Sequence, residues 1–281
     1  MRLEEIGEVH VVDLPGTYSL SPRSLDEEVV HDVLQGLRSD TPAPQVVVAV
    51  VDASNLERNL FLASQLLSTG KPVVIALNMM DLARAAGAVI DTVALAGQLG
   101  APVVPMSAHR GQGLDELKRA IRQQLRAPAT PREMIPLAPE AAKLVDQVIR
   151  FLVSLRLATA ESAKGEALRL ISSEKAWAHP RFADVEQDLR KTVETVRGAL
   201  TAAGITWHAL DAETRYRWIE ATLAGAHQQR EISRSRSDRI DAVLTHRVAG
   251  PVMLMLMMLA VFISIFNFAQ LPMDAIKQFF G

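Results

Sequence analysis

The stretch Val11-Val12-Asp13-Leu14-Pro15-Gly16 predicts a strand that ends at a binding loop. An apolar run ends in an acid and a Pro-Gly pair follows, which is the pattern of a buried strand entering a tight loop. In a doubly wound sheet, ligands bind at the carboxyl ends of the strands. Asp13 can hold Mg²⁺ there, and Gly16 lets its backbone N–H approach a phosphate because it has no Cβ.

The same alternation of apolar runs and helical patterns continues through residues 1–127. The runs, each rich in Val or Ile, are Glu8–Asp13, Gln45–Asp52, Pro72–Asn78 and Pro102–Pro105. Helix-like stretches between them are Ser24–Leu37, Asn55–Leu67, Val93–Leu99 and Leu114–Leu125. This order predicts an α/β domain with four parallel strands, covered by helices on both faces.

Composition excludes several classes of function. The 281 residues give room for one large or two ordinary domains, and 49% of them are hydrophobic. A net charge of −2 argues against a nucleic-acid surface. The chain has no cysteine, which excludes disulfides, zinc–thiolate clusters and thiol catalysis. Its seven histidines show no spacing typical of a metal site.

Beyond residue 127 the pattern changes twice. Residues 128–139 contain four prolines and are expected to form a linker. Apolar residues then recur at helical spacing, which predicts a small all-helical domain over residues 140–230, with one helix near Thr214–Leu223. No function follows from that periodicity.

The carboxyl-terminal part predicts a membrane span. Residues 231–248 are basic, and eighteen residues shortly after them, Val252–Ala269, carry no charge. Eighteen helical residues cover about 27 Å, close to the hydrocarbon thickness of a bilayer. We therefore expect a transmembrane helix over residues 249–272. The arginines before it predict that the large soluble part is cytoplasmic, with the helix in the cell inner (plasma) membrane.

Two short motifs follow the later strands. Asn78-Met79-Met80-Asp81 follows the third apolar run, and a carboxylate there can accept hydrogen bonds from the N1–H and 2-amino group of guanine. Ser107-Ala108 follows the fourth, where a backbone N–H can donate to guanine O6. Each motif alone is common. Together with Asp13 and Gly16, in this order at successive strand ends, they predict a guanine-nucleotide-binding domain.

Three longer stretches resemble the ferrous iron transport protein B (FeoB) family. They are VVDLPGTYSLSPRSLDEEV (residues 11–29), VVDASNLERNLFLASQLLSTGKPVVIALNMMD (residues 50–81) and SDRIDAVLTHRVAGPVMLMLMM (residues 237–258). In that family a GTP-binding domain precedes a helical domain and a multi-pass membrane domain. The resemblance implies GTP/GDP and Mg²⁺ as cofactors.

The resemblance also implies a role for each residue of the motifs. It puts Asp13 on the Mg²⁺ side, with Leu14 and Pro15 in the same motif, and Gly16 at the γ-phosphate. The residues implied around guanine are Asn78, Asp81, Ser107 and Ala108. Met79 stands where most GTPases carry Lys, which matches the NMxD of this family.

The chain departs from the family pattern at two places. The phosphate-binding GxxxxGK[ST] motif does not occur in the 281 residues, and one predicted span is fewer than a permeation path needs. We therefore expect an internal fragment, or a misassigned start, of a longer transporter. Thr17 occupies the position where some GTPases keep a water-orienting Gln, so intrinsic hydrolysis is expected to be slow. No catalytic residue is assigned.

The expected fold class is α/β: an incomplete P-loop GTPase-type parallel sheet, then a small all-α domain and one transmembrane helix. The expected function is GTP binding and hydrolysis by the cytosolic part of a ferrous iron transporter. Two alternatives remain open, a non-catalytic membrane-tethered guanine-binding or regulatory module, and a soluble assembly GTPase whose apolar helix is buried against a partner. Expected partners are a guanine nucleotide, membrane lipid and Fe²⁺ as the ion transported by the intact family. A second copy of the chain is an open alternative, and nucleic acid is not expected.

Overall fold

The structure is a computed structural model that describes residues 2–3, 6–20, 25–128, 135–229 and 244–268. It divides into two compact units, Met1–Arg230 and Glu231–Gly281. The strands of the first unit are β1 (Arg2–Leu3), β2 (Gly7–Glu8), β3 (Val47–Asp52), β4 (Val73–Asn78), β5 (Ala88–Ile90), β6 (Val103–Pro105) and β7 (His227–Gln229). Its α-helices are α1 (Leu25–Gln35), α2 (Leu56–Leu67), α3 (Met80–Ala85), α4 (Thr92–Leu99), α5 (Leu114–Arg126), α6 (Pro139–Ser154), α7 (Ala163–Ser172), α8 (Glu186–Ala202) and α9 (Leu210–Ala226).

A parallel sheet in the order β3-β4-β6 forms the centre of the amino-terminal region. β4 lies between the two other strands, and its residues Val73–Leu77 are all buried. That explains its continuous run of apolar residues, since a central strand of a covered sheet has no solvent-facing side. β-Branched side chains also favour the strand conformation. The α/β fold class predicted from the sequence is confirmed.

The predicted first strand, Glu8–Asp13, is wrong. β2 ends at Glu8, residues 9–17 have no regular secondary structure, and Val11 and Val12 are 70% and 54% exposed. A strand is stable in a sheet when a neighbour accepts and donates its backbone hydrogen bonds. Within the described ranges, residues 9–17 pair with no other strand, so apolar composition alone did not produce one.

The sequence analysis predicted helices on both faces of the sheet, but one face of β3 is not covered in the described structure. On β3, Ala49 and Val51 are buried, whereas Val48 and Val50 on the other face are 37% and 66% exposed. β3 is the edge strand on this side of the three-stranded order. The outer face of this strand is therefore apolar and solvent-exposed in the described structure.

A second hydrophobic core lies among α6, α7 and α8. Val145, Val148 and Leu152 of α6 pack with Phe182, which precedes α8, and with Val193 of α8. Each of these side chains is fully buried. The helical periodicity noted in the sequence therefore corresponds to real buried faces. α7 was not predicted, because its buried face includes the charged residues Glu166 and Arg169 as well as apolar ones.

Helix α9 joins the core of the sheet region. Its residues Ile219 and Ala226 are buried with α2 and α4, and Trp218 and Leu223 pack against the same cluster. The strand that follows α9, β7, pairs antiparallel with β5. The carboxyl-terminal helix of the predicted helical region thus contributes to the neighbouring core.

In the second unit the described segment contains one long helix, α10 (Ala249–Phe268). Its window Ala249–Phe266 has a mean hydropathy of 2.4, and the helix is long and apolar enough to cross a membrane. Residues 231–243 and 269–272, which belong to the predicted juxtamembrane segment and span, lie outside the described residues, as do residues 129–134 of the predicted linker.

Candidate functional site

The carboxyl ends of β4 and β6 are joined by backbone hydrogen bonds. The Met106 N–H donates to Leu77 O at 2.8 Å, and the Met80 N–H donates to Met106 O at 3.2 Å. These bonds hold the loop after β6 against the turn after β4. Because parallel strands end on the same side of a sheet, both motifs predicted from the sequence lie at one edge.

The turn after β4 depends on an unusual backbone conformation. Met79 adopts φ 59° and ψ 30°, the left-handed region, which costs a residue with a Cβ about 1–2 kcal/mol. The turn lets α3 begin at Met80, so that Asp81 lies in the first helical turn. A carboxylate is favoured there because the amino end of a helix carries partial positive charge.

The loop after β6 is a single 3₁₀ turn, Ala108–Arg110, closed by a bridge between Ser107 and Gln112. It leads into α5 through Gly113, whose φ is +88°. A Cβ at this position would lie 2.6 Å from both Met106 Cβ and Pro105 O. Only glycine fits without displacing the backbone.

Two side-chain hydrogen bonds join the turn after β4 to the loop after β6. Asn78 Oδ1 accepts from the Ala108 backbone N–H at 2.9 Å. The hydroxyl of Ser107, a residue only 2% exposed, donates to Asp81 Oδ1 at 2.9 Å. We refer to Asn78, Asp81, Ser107 and Ala108 as the base group. The structure brings together all four residues that the sequence analysis assigned to guanine.

The electrostatics of the base group favour an ionised Asp81. Partial desolvation acts to raise the pKa of this carboxyl, but the Ser107 hydroxyl, a backbone N–H and the nearby Arg110 and His109 outweigh it, so the pKa lies below its ordinary value. The carboxylate is therefore available as an acceptor at neutral pH. The Ala108 N–H, expected to serve guanine O6, donates to Asn78 in this structure.

The sequence analysis missed two basic side chains beside Asp81. Arg110 Nη2 lies 3.4 Å and His109 Nε2 lies 3.5 Å from Asp81 Oδ2. Both side chains are more than half exposed, while that of Asp81 is 10% exposed. No periodicity or motif distinguishes these residues. Their positions after Ser107-Ala108, in a loop already suspected of contacting the base, are the one available signal.

The segment with Asp13 and Gly16, which we call the phosphate segment (residues 9–17), is organised differently. Asp13 is exposed, and within the described residues neither Asp13 nor Gly16 hydrogen-bonds with the base group. A Cβ added at Gly16 would meet nothing within 4 Å. Leu14, which is partly buried, packs against the core of the sheet region. The structure thus does not unite the two predicted halves through direct bonds.

The residues just after the phosphate segment are anchored on α2. The Leu20 backbone N–H donates to Gln65 Oε1 at 2.7 Å, and the guanidinium of Arg58 lies 4.2 Å from the ring centroid of Tyr18. Gln65 in turn donates to Asp211 of α9 at 3.4 Å. This buried chain of polar contacts fixes the end of the segment that holds Asp13 and Gly16.

A cavity of about 40 Å³ adjoins this anchor. Its lining includes Leu20, Gln65 and the buried ion-paired residues Glu166, Arg169 and Arg181. Burial acts to raise the pKa of Glu166, but the two guanidinium groups overcome it and lower the pKa to about 2. The carboxylate is therefore held ionised inside the protein by two cations.

His31, Asp32 and His179 form a group with the composition of a metal site, their ligand atoms lying within 4.8 Å of one another. His31 Nδ1 and His179 Nε2 lie 3.3 and 3.0 Å from Asp32 Oδ1. A metal-bound imidazole usually donates its second N–H to an acceptor. Here His179 Nδ1 faces the Arg181 backbone N–H as an acceptor, and in the described structure buried His31 Nε2 has no partner. The group fits a hydrogen-bonded triad better than a metal centre.

Burial and the positive charge of Arg169 lower the pKa of His31 to about 4. The ring is consequently neutral near pH 7. A neutral His31 can donate its Nδ1–H to Asp32, in agreement with the triad. His179 lies far from the adjacent His31 and Asp32 in the sequence, which explains why the spacing gave no signal.

Comparison with known proteins identifies relatives along nearly the whole chain. The sequence profile of the family described as "Ferrous iron transport protein B" matches residues 1–121. A fusion of Fe(2+) transport protein A and the Fe(2+) transporter FeoB from Porphyromonas gingivalis is 31% identical over 285 residues, which cover 97% of this chain and 33% of the relative. The chain thus spans about a third of the length of that protein.

Solved structures of FeoB cytosolic parts have the same fold. A GDP-bound mutant of NFeoB from S. thermophilus is 31% identical, with a TM-score of 0.67 over 76% of this chain and 79% of that one. NFeoB of the same organism bound to mGMPPNP is 31% identical, with a TM-score of 0.64 over 79% of this chain and 80% of that one. Both relatives bind a guanine nucleotide or its analogue.

Proposed function

The chain belongs to the ferrous iron transport protein B family, and on that premise we propose that it binds a guanine nucleotide and hydrolyses GTP as the cytosolic part of an Fe²⁺ membrane transporter. One observation carries this proposal. The base group is assembled by two hydrogen bonds, Asn78 with Ala108 and Ser107 with Asp81, at adjacent strand ends. Fe²⁺ is the ion carried through the membrane part of the intact protein.

Base selectivity comes from the carboxylate of Asp81. Guanine offers two donors on one edge, N1–H and the 2-amino group, and a carboxylate accepts both. Adenine offers no such pair, so it would leave a partly buried charge without a partner. A site built to hydrogen-bond one group rejects an analogue that lacks it much more strongly than a purely apolar pocket does.

Asp13 and Gly16 would serve the phosphate end. Mg²⁺ prefers oxygen ligands, and Asp13 is an exposed carboxylate that can supply one. Gly16 has open space where a Cβ would lie, so packing does not require a glycine there. Close approach of its backbone N–H to a γ-phosphate is the remaining reason for glycine. When bound, Mg²⁺ would neutralise phosphate charge.

Hydrolysis by the chain alone is expected to be slow, because the side chain after Gly16 is Thr17. Its hydroxyl is engaged within its own turn, donating to Ser19 O at 2.7 Å and accepting from Ser19 N at 3.2 Å. It would not orient an attacking water from that position. Binding without turnover would support the alternative of a non-catalytic, membrane-tethered guanine-binding module.

The boundaries of the regions belong to the same proposal. The nucleotide-binding region would cover residues 1–127 and the helical region residues 140–230, with a linker over 128–139. A basic segment over 231–248 would then lead into a membrane span over 249–272 in the plasma membrane, with the preceding residues cytoplasmic. A reporter fused after Gly281 should behave as periplasmic, and activity only as a cytoplasmic fusion would refute this topology.

The base site is tested by Asp81→Asn in the full chain. Asn keeps an oxygen for the Ser107 hydroxyl, but it offers an N–H₂ where xanthine presents a carbonyl. Preference should therefore shift from GDP to xanthosine diphosphate, measured by saturation-transfer NMR at millimolar ligand. Asp115→Asn is the matched control, since Asp115 is an exposed acid of α5 that pairs with Lys118. Unchanged preference in Asp81→Asn would remove Asp81 from the site.

A further inference from the structure

The two oxygens of the Asp81 carboxylate have different environments. Oδ1 accepts from the buried Ser107 hydroxyl at 2.9 Å. Oδ2 faces the two exposed basic side chains, at 3.4 Å from Arg110 Nη2 and 3.5 Å from His109 Nε2. Oδ1 is thus held on the protein side, while Oδ2 is covered by two side chains that are themselves more than half exposed.

Arg110 is oriented by its neighbour. Its Nε–H donates to His109 Nε2 at 3.3 Å while its Nη2 faces Asp81. His109 Nε2 is the acceptor in that bond, so the donor directed at Oδ2 comes from Arg110. Arg110 is therefore the cation that covers Oδ2, and His109 holds the guanidinium in place.

The backbone beneath Arg110 is well fixed. Its N–H donates to Ser107 O at 3.0 Å, and the following Gly111 N–H donates to Ala108 O at 3.0 Å. Gly111 closes the turn in the left-handed conformation, with φ +68°. The guanidinium can swing away from Asp81 by side-chain rotation without any change in this turn.

From this geometry we propose that Arg110 occupies the edge of Asp81 that guanine needs, and that the base binds by displacing it. This inference rests on the proposed guanine site and adds a residue that tunes its affinity and selectivity. Guanine replaces the guanidinium contact with its own two donors. Adenine has no such donors, so displacing Arg110 would leave the carboxylate unpaired.

The test uses guanosine, a neutral ligand without phosphates, so that loss of a cation acts on the base contact alone. Arg110→Ala in the full chain should tighten guanosine binding by about two- to fivefold, the range expected for release of a surface ion pair. Added salt should tighten guanosine binding to the unaltered chain by screening the pair, and this salt dependence should vanish in Arg110→Ala.

Arg119→Ala is the matched control, because Arg119 is an exposed arginine of α5 that pairs with Glu116 at 2.8 Å. It should leave both guanosine affinity and its salt dependence unchanged. Weaker guanosine binding in Arg110→Ala would mean that Arg110 contacts the ligand, and an unchanged affinity would mean that the contact has no role. Either result overturns the inference.

The failure of the base site itself gives a different pattern. If Asp81→Asn leaves guanosine binding unaltered, or if the unaltered chain binds no guanosine at its solubility limit, the guanine site and this inference fall together. If Asp81→Asn abolishes binding while Arg110→Ala has no effect, the guanine site stands and the role of Arg110 alone is refuted.

Discussion

Asn78 of the base group and Asp13 of the phosphate segment each come at the end of an apolar run of similar composition, yet the two regions have different structures. Asn78 ends a strand that is hydrogen-bonded on both sides, and its side chain reaches the next loop. Asp13 follows two valines that are mostly exposed and unpaired within the described residues. The residues at the end of a strand are held in a defined position when neighbouring strands hydrogen-bond to the backbone of that strand.

The two regions also differ in what holds them. Hydrogen bonds among its own residues hold the base group together. The phosphate segment is instead held by contacts with the protein interior: Leu14 packs against the core, and Leu20, just after the segment, donates its backbone N–H to Gln65. We therefore expect substitutions to affect the two regions through separate routes.

The largest effect is expected on the affinity for ligands that carry phosphates. In P-loop GTPases, backbone N–H groups and a Lys hold the α- and β-phosphates, and no GxxxxGK[ST] occurs in these 281 residues. Three absent charge-assisted hydrogen bonds remove roughly 4–9 kcal/mol. GTP binding by the full chain in detergent should therefore be weak, detectable by saturation-transfer NMR at millimolar ligand but absent from calorimetry at about 50 micromolar. Micromolar, Mg²⁺-dependent GTP binding would show that the chain holds the phosphates as well as the base, and would contradict this prediction.

The support beneath the phosphate segment should give the next largest effect. Glu166→Gln leaves Arg169 and Arg181 buried without their carboxylate, which should cost about 3–5 kcal/mol of unfolding free energy. Glu194→Gln, which breaks an exposed pair with Arg190, is the control and should cost less than about 1 kcal/mol. Urea unfolding followed by circular dichroism measures both. Equal small effects would show that Glu166 contributes no more than a surface acid.

The same carboxylate predicts a pH dependence. Its pKa in the folded chain, about 2, lies below the ordinary value of 4.5. The stabilisation is therefore complete above pH 4.5 and is lost as the pH falls through about 2, amounting to about 3 kcal/mol. In Glu166→Gln this part of the acid destabilisation should be missing. An unchanged slope between pH 4.5 and 2 would contradict the assignment.

The base group can be disrupted through its loop. Gly113→Ala forces a Cβ into Met106 and Pro105 at a positive φ, which should cost about 2–4 kcal/mol and abolish guanosine binding. Gly198→Ala, in α8 with nothing within 4 Å of its Cβ, should instead stabilise by up to about 1 kcal/mol. Denaturant unfolding and ligand titration measure both, and equal stability of the two variants would refute the steric argument.

The smallest effect on stability is expected at Gly16. Its Cβ would enter open space, so Gly16→Ala should change the unfolding free energy by less than about 0.5 kcal/mol. It should also leave guanosine binding as it is, because the base group is built from other residues. A large loss of stability would mean that the phosphate segment is packed more tightly than described.

The comparison also indicates what the sequence can predict. The strands that end at Asn78 and before Ser107 were identified because apolar content and pairing agree there. At Val11 and Val12 the apolar content is the same, but pairing depends on distant residues that composition does not report. The assignment of Asp81, Ser107 and Ala108 to one place followed from a rule about parallel strands.

Other features had no sequence signal. The left-handed Met79 lies at a position where a glycine would have been expected. Arg110 covers Asp81 because a 3₁₀ turn points it there, and Glu166 meets Arg181 through the packing of two segments. Charged residues in a helical pattern are normally assigned to the surface, so a buried ion cluster is missed by periodicity alone.

Helix α9 carries a consequence for dissecting the molecule. Ile219 and Ala226 complete the core formed with α2 and α4, although they lie about a hundred residues after the sheet ends. A piece cut after residue 127 would leave the apolar surface of those helices uncovered and prone to self-association. The sequence pattern places a division at the prolines of residues 128–139, but α9, which comes after them, contributes to the core of the sheet region. A soluble sheet region that folds on its own would therefore have to include α9.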